Sequence, residues 1–253
     1  MIDLHCHILP GVDDGPKNLE ESIAMAHSAV QQGITHILCT PHHKNGRYDN
    51  PAANVIAAVK NLQQEFDQRG IDLTLFEGQE VRLTGELLED IRHQNILFTD
   101  LNNQYLLIEF PAAEVPAYTD QLFYQLIEQG HTPVIVHPER NGVFSKDPNR
   151  LVPYLEMGVL TQLTAPSVIG FFGRKIQKVA RTMLSNRLVY MVASDAHSIQ
   201  QRGFYLKEAY QEIEKDFGSE LVREMEQMTK DLLNGDPVKR PAFQKVKRHS
   251  FFR

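Results

Sequence analysis

MIDLHCH, at residues 1–7, is an apolar run of the kind that forms a buried β-strand, and it ends in two histidines. Side chains alternate between the two faces of a strand, so His5 and His7 point to the same side. Cys6 points the other way and is predicted to be a small core residue rather than a metal ligand. The same design, an apolar strand with a polar end, recurs along the chain and predicts its fold.

Seven such runs alternate with amphipathic helical patterns. The strands are predicted at residues 2–5, 34–40, 73–80, 105–110, 132–137, 158–163 and 188–193. The helices are predicted at residues 19–32, 51–68, 85–93, 118–129, 149–156, 175–186, 202–216 and 220–233. This repeated order predicts an α/β fold, a single-domain, TIM-like (β/α) barrel. An open doubly wound sheet is the alternative, but the sequence holds neither GxGxxG nor GxxxxGK[ST].

Composition restricts the class of protein further. The chain has 253 residues, of which 42% are hydrophobic and 23% charged, which is typical of globular proteins. Two cysteines and the lack of a leader or membrane-spanning segment indicate a reducing, cytoplasmic setting without membrane insertion. Residues 1–238, with 20 basic and 32 acidic side chains, are expected to form the barrel, and residues 239–253 a basic tail that is either a solvated terminus, which is favoured, or an accessory contact. The acidic body makes nucleic acid a poor partner.

Polar side chains collect where the predicted strands end. Six strands carry a histidine or an acid there: His5 and His7, His42 and His43, Glu77 and Glu80, Glu109, His137 and Glu139, and Asp195 and His197. In a barrel the carboxyl ends of the strands meet at one mouth, where chemistry collects. Glu109 is the strongest indication of a functional site, because it lies in an otherwise apolar strand and burying a carboxylate without a partner costs free energy.

Imidazoles and carboxylates without thiolates suit divalent ions such as zinc, manganese or iron. The candidates outnumber the three or four protein ligands of one catalytic ion, so more than one ion is expected. Clustered ions produce hydroxide at neutral pH and hold the oxygens of a phosphate. Arg140 and Arg202 lie near the same strand ends and either grip phosphate oxygens or are ordinary surface arginines.

These motifs resemble the PHP (polymerase and histidinol phosphatase) superfamily of metal-dependent phosphoesterases. They are His5-x-His7, Pro41-His42-His43, Glu80, Glu109, His137-Pro138-x-Arg140 and Ser194-Asp195-Ala196-His197, within about residues 1–200. MIDLHCH followed by Val12-Asp13-Asp14-Gly15-Pro16 is similar to the bacterial protein-tyrosine phosphatases encoded beside capsule or exopolysaccharide tyrosine kinases, the CpsB/YwqE type. The resemblance implies a distorted (β/α)7 barrel, which agrees with the seven strands predicted from the pattern.

The resemblance also implies a trinuclear site of divalent ions, manganese first, with iron, zinc or cobalt as alternatives. One ion takes His5, His7, Glu80 and Asp195, a second Glu80, Glu109 and His137, and the third Asp14, His42 and His197. Asp13 adjoins Asp14 and His43 adjoins His42, so which neighbour is the ligand stays open.

The implied activity is that of a metal-dependent protein-tyrosine phosphatase, a phosphoric monoester hydrolase. A hydroxide bridging two ions would attack phosphorus directly, with Arg140 and Arg202 neutralising the transition state and without a covalent phosphoenzyme. The implied partner is a phosphotyrosine protein, a cognate bacterial tyrosine kinase and its substrates. Three alternatives remain: a histidinol-phosphate or other small-molecule phosphatase, a phosphodiesterase or exonuclease, and a non-catalytic, metal-stabilised regulatory module.

Overall fold

The computed structural model describes residues 1–247, in which parallel strands alternate with helices. The strand segments are β1 (Ile2–Cys6), β2 (His36–Cys39), β3 (His42–His43), β4 (Thr74–Glu77), β5 (Glu80–Arg82), β6 (Tyr105–Glu109), β7 (Thr132–Val136), β8 (Leu160–Thr164) and β9 (Met191–Ala193). The α-helices are α1 (Leu19–Gln31), α2 (Ala52–Gln68), α3 (Leu87–Arg92), α4 (Thr119–Glu128), α5 (Val152–Met157), α6 (Ala165–Ile169), α7 (Arg174–Ser185), α8 (Leu206–Phe217) and α9 (Ser219–Asn234).

The strand segments form a closed barrel. The hydrogen-bonded order is β1-β2-β4 in one sheet and β3-β5-β6-β7-β8-β9 in the other, and every pairing is parallel. Because β3 continues β2 and β5 continues β4, these segments make seven strands. The barrel closes where the Asp195 amide donates to the His5 carbonyl at 2.8 Å and the His7 amide donates to the Ala196 carbonyl at 2.9 Å. The predicted distorted (β/α)7 barrel is confirmed.

Two strand interruptions account for the distortion. Pro41 has no amide hydrogen, so it cannot donate to the ladder between β2 and β3. Gly78 breaks the next strand between β4 and β5, where a Cβ atom would lie 2.8 Å from Cγ of Leu38. Both breaks lie just before a polar strand end, since His42 and His43 follow Pro41 and Glu80 follows Gly78 by two residues.

Amphipathic patterns located the longer helices well. Asn18 accepts a hydrogen bond from the Glu21 amide at 3.1 Å and so caps α1 as the sequence predicts. The patterns missed α6, a five-residue helix directly after β8. They also began the last strand too early, because pairing with β8 includes only Met191 to Ala193.

The described part of the basic tail lies against the barrel. Asn149 donates to the Val246 carbonyl at 3.0 Å and accepts from the Val246 amide at 2.8 Å, while Arg240 donates to the Leu155 carbonyl at 3.2 Å. Residues 239–247 therefore contact the barrel at a few points while Lys239, Lys245 and Lys247 stay exposed, and residues 248–253 lie outside the described residues. Between residues 1 and 247, no helix combines the length and the hydropathy needed to cross a membrane.

Candidate metal centre

The structure brings all nine side chains predicted as metal ligands to the carboxyl-terminal mouth of the barrel. The pair on β1 converges as the alternation predicts, with Nε2 of His5 3.2 Å from Nε2 of His7. Both side chains are fully buried. The side-chain oxygen Oε1 of Gln162 lies 3.0 Å from Nδ1 of His5, and this contact orients the imidazole toward the centre.

Glu80, the first residue of β5, is the centre of the cluster. Its Oε2 atom lies 2.8 Å from Nδ1 of His42 and 3.3 Å from Nε2 of both His5 and His7. Its Oε1 atom lies 2.7 Å from Nε2 of His137. One buried carboxylate therefore contacts four imidazoles from three different strands.

Three groups of side chains place their ligand atoms within 4.8 Å of one another. They are His7, Asp14, His42 and His197; His5, His7 and Glu80; and His42, Glu80 and Glu109. The grouping differs in part from the predicted one, because His42, rather than His137, accompanies Glu80 and Glu109. Asp195 completes the group of His5, His7 and Glu80, with Oδ1 3.6 Å from His5 Nε2 and 3.5 Å from His7 Nε2.

The geometry distinguishes the two members of each adjacent pair, Asp13 and Asp14 and also His42 and His43, between which the sequence did not choose. Asp14 Oδ1 lies 3.4 Å from Nε2 of both His42 and His197, so it faces the cluster. Asp13 instead lies behind His7, with Oδ2 2.6 Å from its Nδ1 atom. His43 turns away, and its Nδ1 atom lies 3.1 Å from a carboxylate oxygen of the exposed Asp49. The placement favours Asp14 and His42 as ligands and Asp13 as the group that orients His7.

The Asp-Asp-Gly-Pro loop requires its glycine. A Cβ atom on Gly15 would lie 2.3 Å from the carbonyl oxygen of His7. The Gly15 amide donates to Oδ1 of Asp13 at 2.9 Å, and the His42 amide donates to Oδ2 of the same carboxylate at 3.2 Å. The loop thus packs directly on β1, and this contact holds both aspartates beside the histidines.

The residues fit a set of divalent ions. Oε2 of Glu80, Oε2 of Glu109 and Nδ1 of His42 are buried and make no hydrogen bond of proper geometry among the described residues, although Glu80 and His42 lie 2.8 Å apart and Arg82 forms an ion pair with Glu109. Buried polar atoms are normally satisfied, because an unpaired one costs free energy. Oxygen and imidazole donors facing one another in this way suit cations such as manganese, iron or zinc.

Local charges favour the protonation states that bind metal at Glu80, His137 and His197, whereas Asp13 raises the pKa of His7 and Glu80 raises that of His42, in both cases against the effect of burial. Burial alone would raise the pKa of Glu80, but His42 and His5 hold that pKa well below its usual value. Burial and the neighbouring Arg140 lower the pKa of His137 to about 4, and burial and His7 do the same for His197. A neutral imidazole keeps a free lone pair, as a metal ligand must.

Arg140 and Arg202 lie at the site, but they are tied to the cluster rather than free. Arg140 forms an ion pair with Oδ2 of Asp195, and Nη2 of Arg202 lies 3.4 Å from Oδ1 of the same carboxylate. Nε of Arg202 also donates to Nδ1 of His197 at 3.0 Å. The two guanidinium groups hold the pKa of Asp195 well below its usual value, although burial alone would raise it.

A cavity of about 190 Å³ opens beside these groups. Its polar side is formed by Glu109, His137 and the two arginines, and its apolar side includes Phe110 and Phe144. The cavity can therefore hold an anion against the arginines with an apolar group beside it.

Two further residues support the site: Arg82, which sequence reasoning missed, and Glu139, which it counted among the strand-end acids without giving it a role. Nη2 of Arg82 lies 2.9 Å from Oε2 of Glu109. Its position two residues after Glu80 on one strand was the available signal, since such residues share a face. Glu139, fully buried, accepts hydrogen bonds from the Thr164 amide at 3.1 Å and the Ser167 hydroxyl at 2.6 Å, and so anchors the turn that carries Arg140.

Known proteins resemble this chain over most of its length. The profile of the family described as "Capsular polysaccharide synthesis, CpsB/CapC" matches residues 1–232. Tyrosine-protein phosphatase YwqE of Bacillus subtilis (strain 168) is 41% identical over 252 residues, which cover 100% of this chain and 99% of that protein. Tyrosine-protein phosphatase CpsB of Streptococcus agalactiae is 32% identical over 231 residues, which cover 89% and 94% of the two chains.

Solved structures agree with the barrel. A structure described among those of YwqE from Bacillus subtilis and CpsB from Streptococcus pneumoniae, "unique metal-dependent tyrosine phosphatases", matches with a TM-score of 0.94 and 42% identity. The match covers 98% of this chain and 100% of that one. An organophosphorus hydrolase from Deinococcus radiodurans matches with a TM-score of 0.55 at 13% identity, which shows a shared fold alone.

Proposed function

The chain belongs to the CpsB/CapC family, and from this membership we propose that it is a metal-dependent protein-tyrosine phosphatase. The observation that carries the proposal is the buried Glu80 carboxylate, which contacts four imidazoles next to a cavity lined by two arginines. Relatives that cover nearly the whole chain are named as tyrosine-protein phosphatases.

We propose that the cluster binds three divalent ions, with manganese preferred and iron, zinc or cobalt as alternatives. The ligands would be His5, His7, Asp14, His42, Glu80, Glu109, His137, Asp195 and His197. Oxygen and imidazole donors without a thiolate support this choice of metals. When bound, clustered ions of this kind supply hydroxide at neutral pH and neutralise phosphate oxygens.

The arginines have a separate role in this proposal. Arg140 and Arg202 would bind the non-bridging oxygens of the phosphoryl group through paired N–H donors. Asp195 contacts both guanidinium groups, so it would keep them directed at one point between the metal cluster and the cavity. Charge that develops on these oxygens would meet donors already in place, which is where electrostatic stabilisation contributes most.

The leaving group needs little general-acid assistance from the protein. A tyrosine phenolate comes from a hydroxyl group of pKa about 10, so it departs with little help from a general acid. A covalent cysteine intermediate is disfavoured, because Cys6 and Cys39 are fully buried and burial raises the pKa of each thiol well above its usual value.

We propose that the substrate is a phosphotyrosine protein, specifically a cognate bacterial tyrosine kinase and the proteins it phosphorylates. The support is the family's description in capsular polysaccharide synthesis and the names of the relatives. The cavity at the barrel mouth could accept a tyrosyl side chain presented on an extended segment.

Three substrates test the proposal: a phosphotyrosine peptide, histidinol phosphate and a nucleic-acid diester, each assayed with the manganese-loaded protein. We expect the peptide to have the highest kcat/KM, and Glu80→Gln to lose both bound metal and hydrolysis. A Glu77→Gln variant, altered just outside the cluster, should keep both. A higher kcat/KM for histidinol phosphate or the diester would contradict the phosphotyrosine assignment, and bound metal with no hydrolysis would indicate a regulatory module.

A further inference from the structure

Helix α7, which follows β8 and α6, carries an unusual group of positive charges. Arg174, Lys175 and Lys178 are exposed on its first two turns, and the helix holds no acidic residue. Residues 1–238 carry 20 basic and 32 acidic side chains, so this group stands out from a body of opposite charge. We call these three side chains the α7 basic surface.

The cations of this surface are uncompensated. Within residues 1–247, no acidic side chain forms an ion pair with Arg174, Lys175 or Lys178. Arg181, one turn further along α7, does have partners, with Nη2 3.1 Å from Glu212 and 3.0 Å from Asp216. The neighbouring helix α8 therefore neutralises the last cation of α7 and leaves the first three available.

The placement of these charges is also unfavourable for the helix itself. The amino-terminal end of a helix carries partial positive charge, so acidic residues are favoured there and basic ones are not. Arg174 and Lys175 occupy the first turn of α7, where no acidic residue offsets them. Charges that work against local stability are expected where they serve a function.

The α7 basic surface lies beside the candidate metal centre. Cζ of Arg140 lies 5.3 Å from the ring centroid of Phe172, two residues before α7 begins. Two residues span at most about 7.6 Å between Cα atoms, so Arg174 begins α7 within that distance of Phe172, the residue that packs on the arginine proposed to bind phosphate. The exposed Phe171 comes three residues before Arg174, and its ring centroid lies 5.4 Å from that of Tyr205.

We propose that the α7 basic surface docks an acidic segment next to the phosphotyrosine of the substrate. Four residues of helix rise about 6 Å, so Arg174 and Lys178 match about two residues of an extended peptide. A peptide with its phosphotyrosine in the cavity would lay the next two to five residues along Phe171 and the start of α7. Aspartate, glutamate or a second phosphate in that stretch would meet the three cations. This inference rests on the proposed phosphatase function.

A peptide fits this surface better than an anionic membrane does. The acidic body would be repelled by a negatively charged lipid surface, whereas a narrow peptide contacts only the local positive charge. A peptide can also place its acidic residues on α7 while its phosphotyrosine occupies the adjacent cavity, and a headgroup in a bilayer cannot.

The test compares two phosphotyrosine peptides and p-nitrophenyl phosphate, all assayed with the manganese-loaded full chain at low salt. One peptide has aspartate and glutamate on both sides of the phosphotyrosine, and the other has serine and glycine. We expect a KM about fivefold lower for the acidic peptide, as expected for a few screened ion pairs, and a loss of this difference in high salt. The triple variant R174Q/K175Q/K178Q should lose the preference with kcat and p-nitrophenyl phosphate hydrolysis unchanged.

A second triple variant, K60Q/R223Q/K230Q, removes three exposed cations from α2 and α9 and should keep the preference. If the α7 variant keeps it, or both variants lose it equally, the docking inference is overturned while the phosphatase function stands. Failure of the wild-type protein to hydrolyse either peptide would overturn both. Sedimentation with vesicles of phosphatidylglycerol and phosphatidylcholine adds a third outcome: binding lost only in the α7 variant, with peptide KM unchanged, would assign the surface to lipid instead.

Discussion

Asp13 offers a sharp test of how the site is built, because it contacts a ligand without facing the cluster. Its Oδ2 atom lies 2.6 Å from Nδ1 of His7, and this carboxylate together with Glu80 raises the pKa of that imidazole to about 10, although burial acts in the opposite direction. A carboxylate behind a ligating histidine fixes the ring and increases its basicity, and removing such a partner costs about 10- to 100-fold in metal affinity.

The substitution Asp13→Asn should therefore weaken manganese binding by about 10- to 100-fold, or about 1.4–2.7 kcal/mol. The amide keeps the size of the side chain, and its one oxygen can still accept from the Gly15 amide, so the loop should stay folded although the hydrogen bond from the His42 amide is lost. Calorimetric titration of the metal-free protein with manganese measures the affinity. Circular dichroism checks that the fold is intact.

Asp49 provides the matched control. It also faces a buried histidine, with Oδ1 3.1 Å from Nδ1 of His43, but this pair lies outside the cluster. Asp49→Asn should leave manganese affinity unchanged. Wild-type affinity in Asp13→Asn, or an equal loss in both variants, would refute the assignment of Asp13 as the group that orients His7.

Three further predictions concern the loop, the thiols and the cavity. Gly15→Ala should lower the free energy of unfolding by about 1–3 kcal/mol in urea titration, because its Cβ would meet the His7 carbonyl oxygen at 2.3 Å, and wild-type stability would show that the loop can move away. The double variant C6A/C39A should keep the wild-type kcat for a phosphotyrosine peptide, and loss of hydrolysis with metal still bound would contradict direct metal-dependent attack. Phe144→Ala should cost about 3–5 kcal/mol in the same urea titration, because this ring is fully buried and its loss leaves a void; a change below 1 kcal/mol would mean that the cavity wall repacks.

Periodicity in the sequence predicted most of the fold. Strand β6 illustrates why: Leu106, Leu107 and Ile108 are all fully buried, as continuous apolar runs in parallel barrels are. The second strand was predicted to end at residue 40, before Pro41, but its continuation at His42 and His43 was not predicted. The Gly78 break was not predicted, because it depends on contact with a side chain of the neighbouring strand. Short elements such as α6 have too few residues to establish a period.

The sequence also predicted which residues gather at the candidate site, but not the individual contacts between them. Alternation places His5 and His7 on one face, and barrel topology brings the strand ends together. Alternation cannot choose between Asp13 and Asp14, since both lie in an irregular loop whose path depends on packing against β1. Arg82 was missed although it shares a strand face with Glu80, because its partner Glu109 lies on the next strand.

Anomalous X-ray diffraction from manganese-loaded crystals, collected at the manganese absorption edge, tests the central claim most directly. Three anomalous peaks are expected at the barrel mouth, each within ligand distance of the side chains assigned to it and with Glu80 contacting two of the ions. A single peak, or peaks remote from Glu80, would contradict the trinuclear site and the hydrolysis proposed to depend on it.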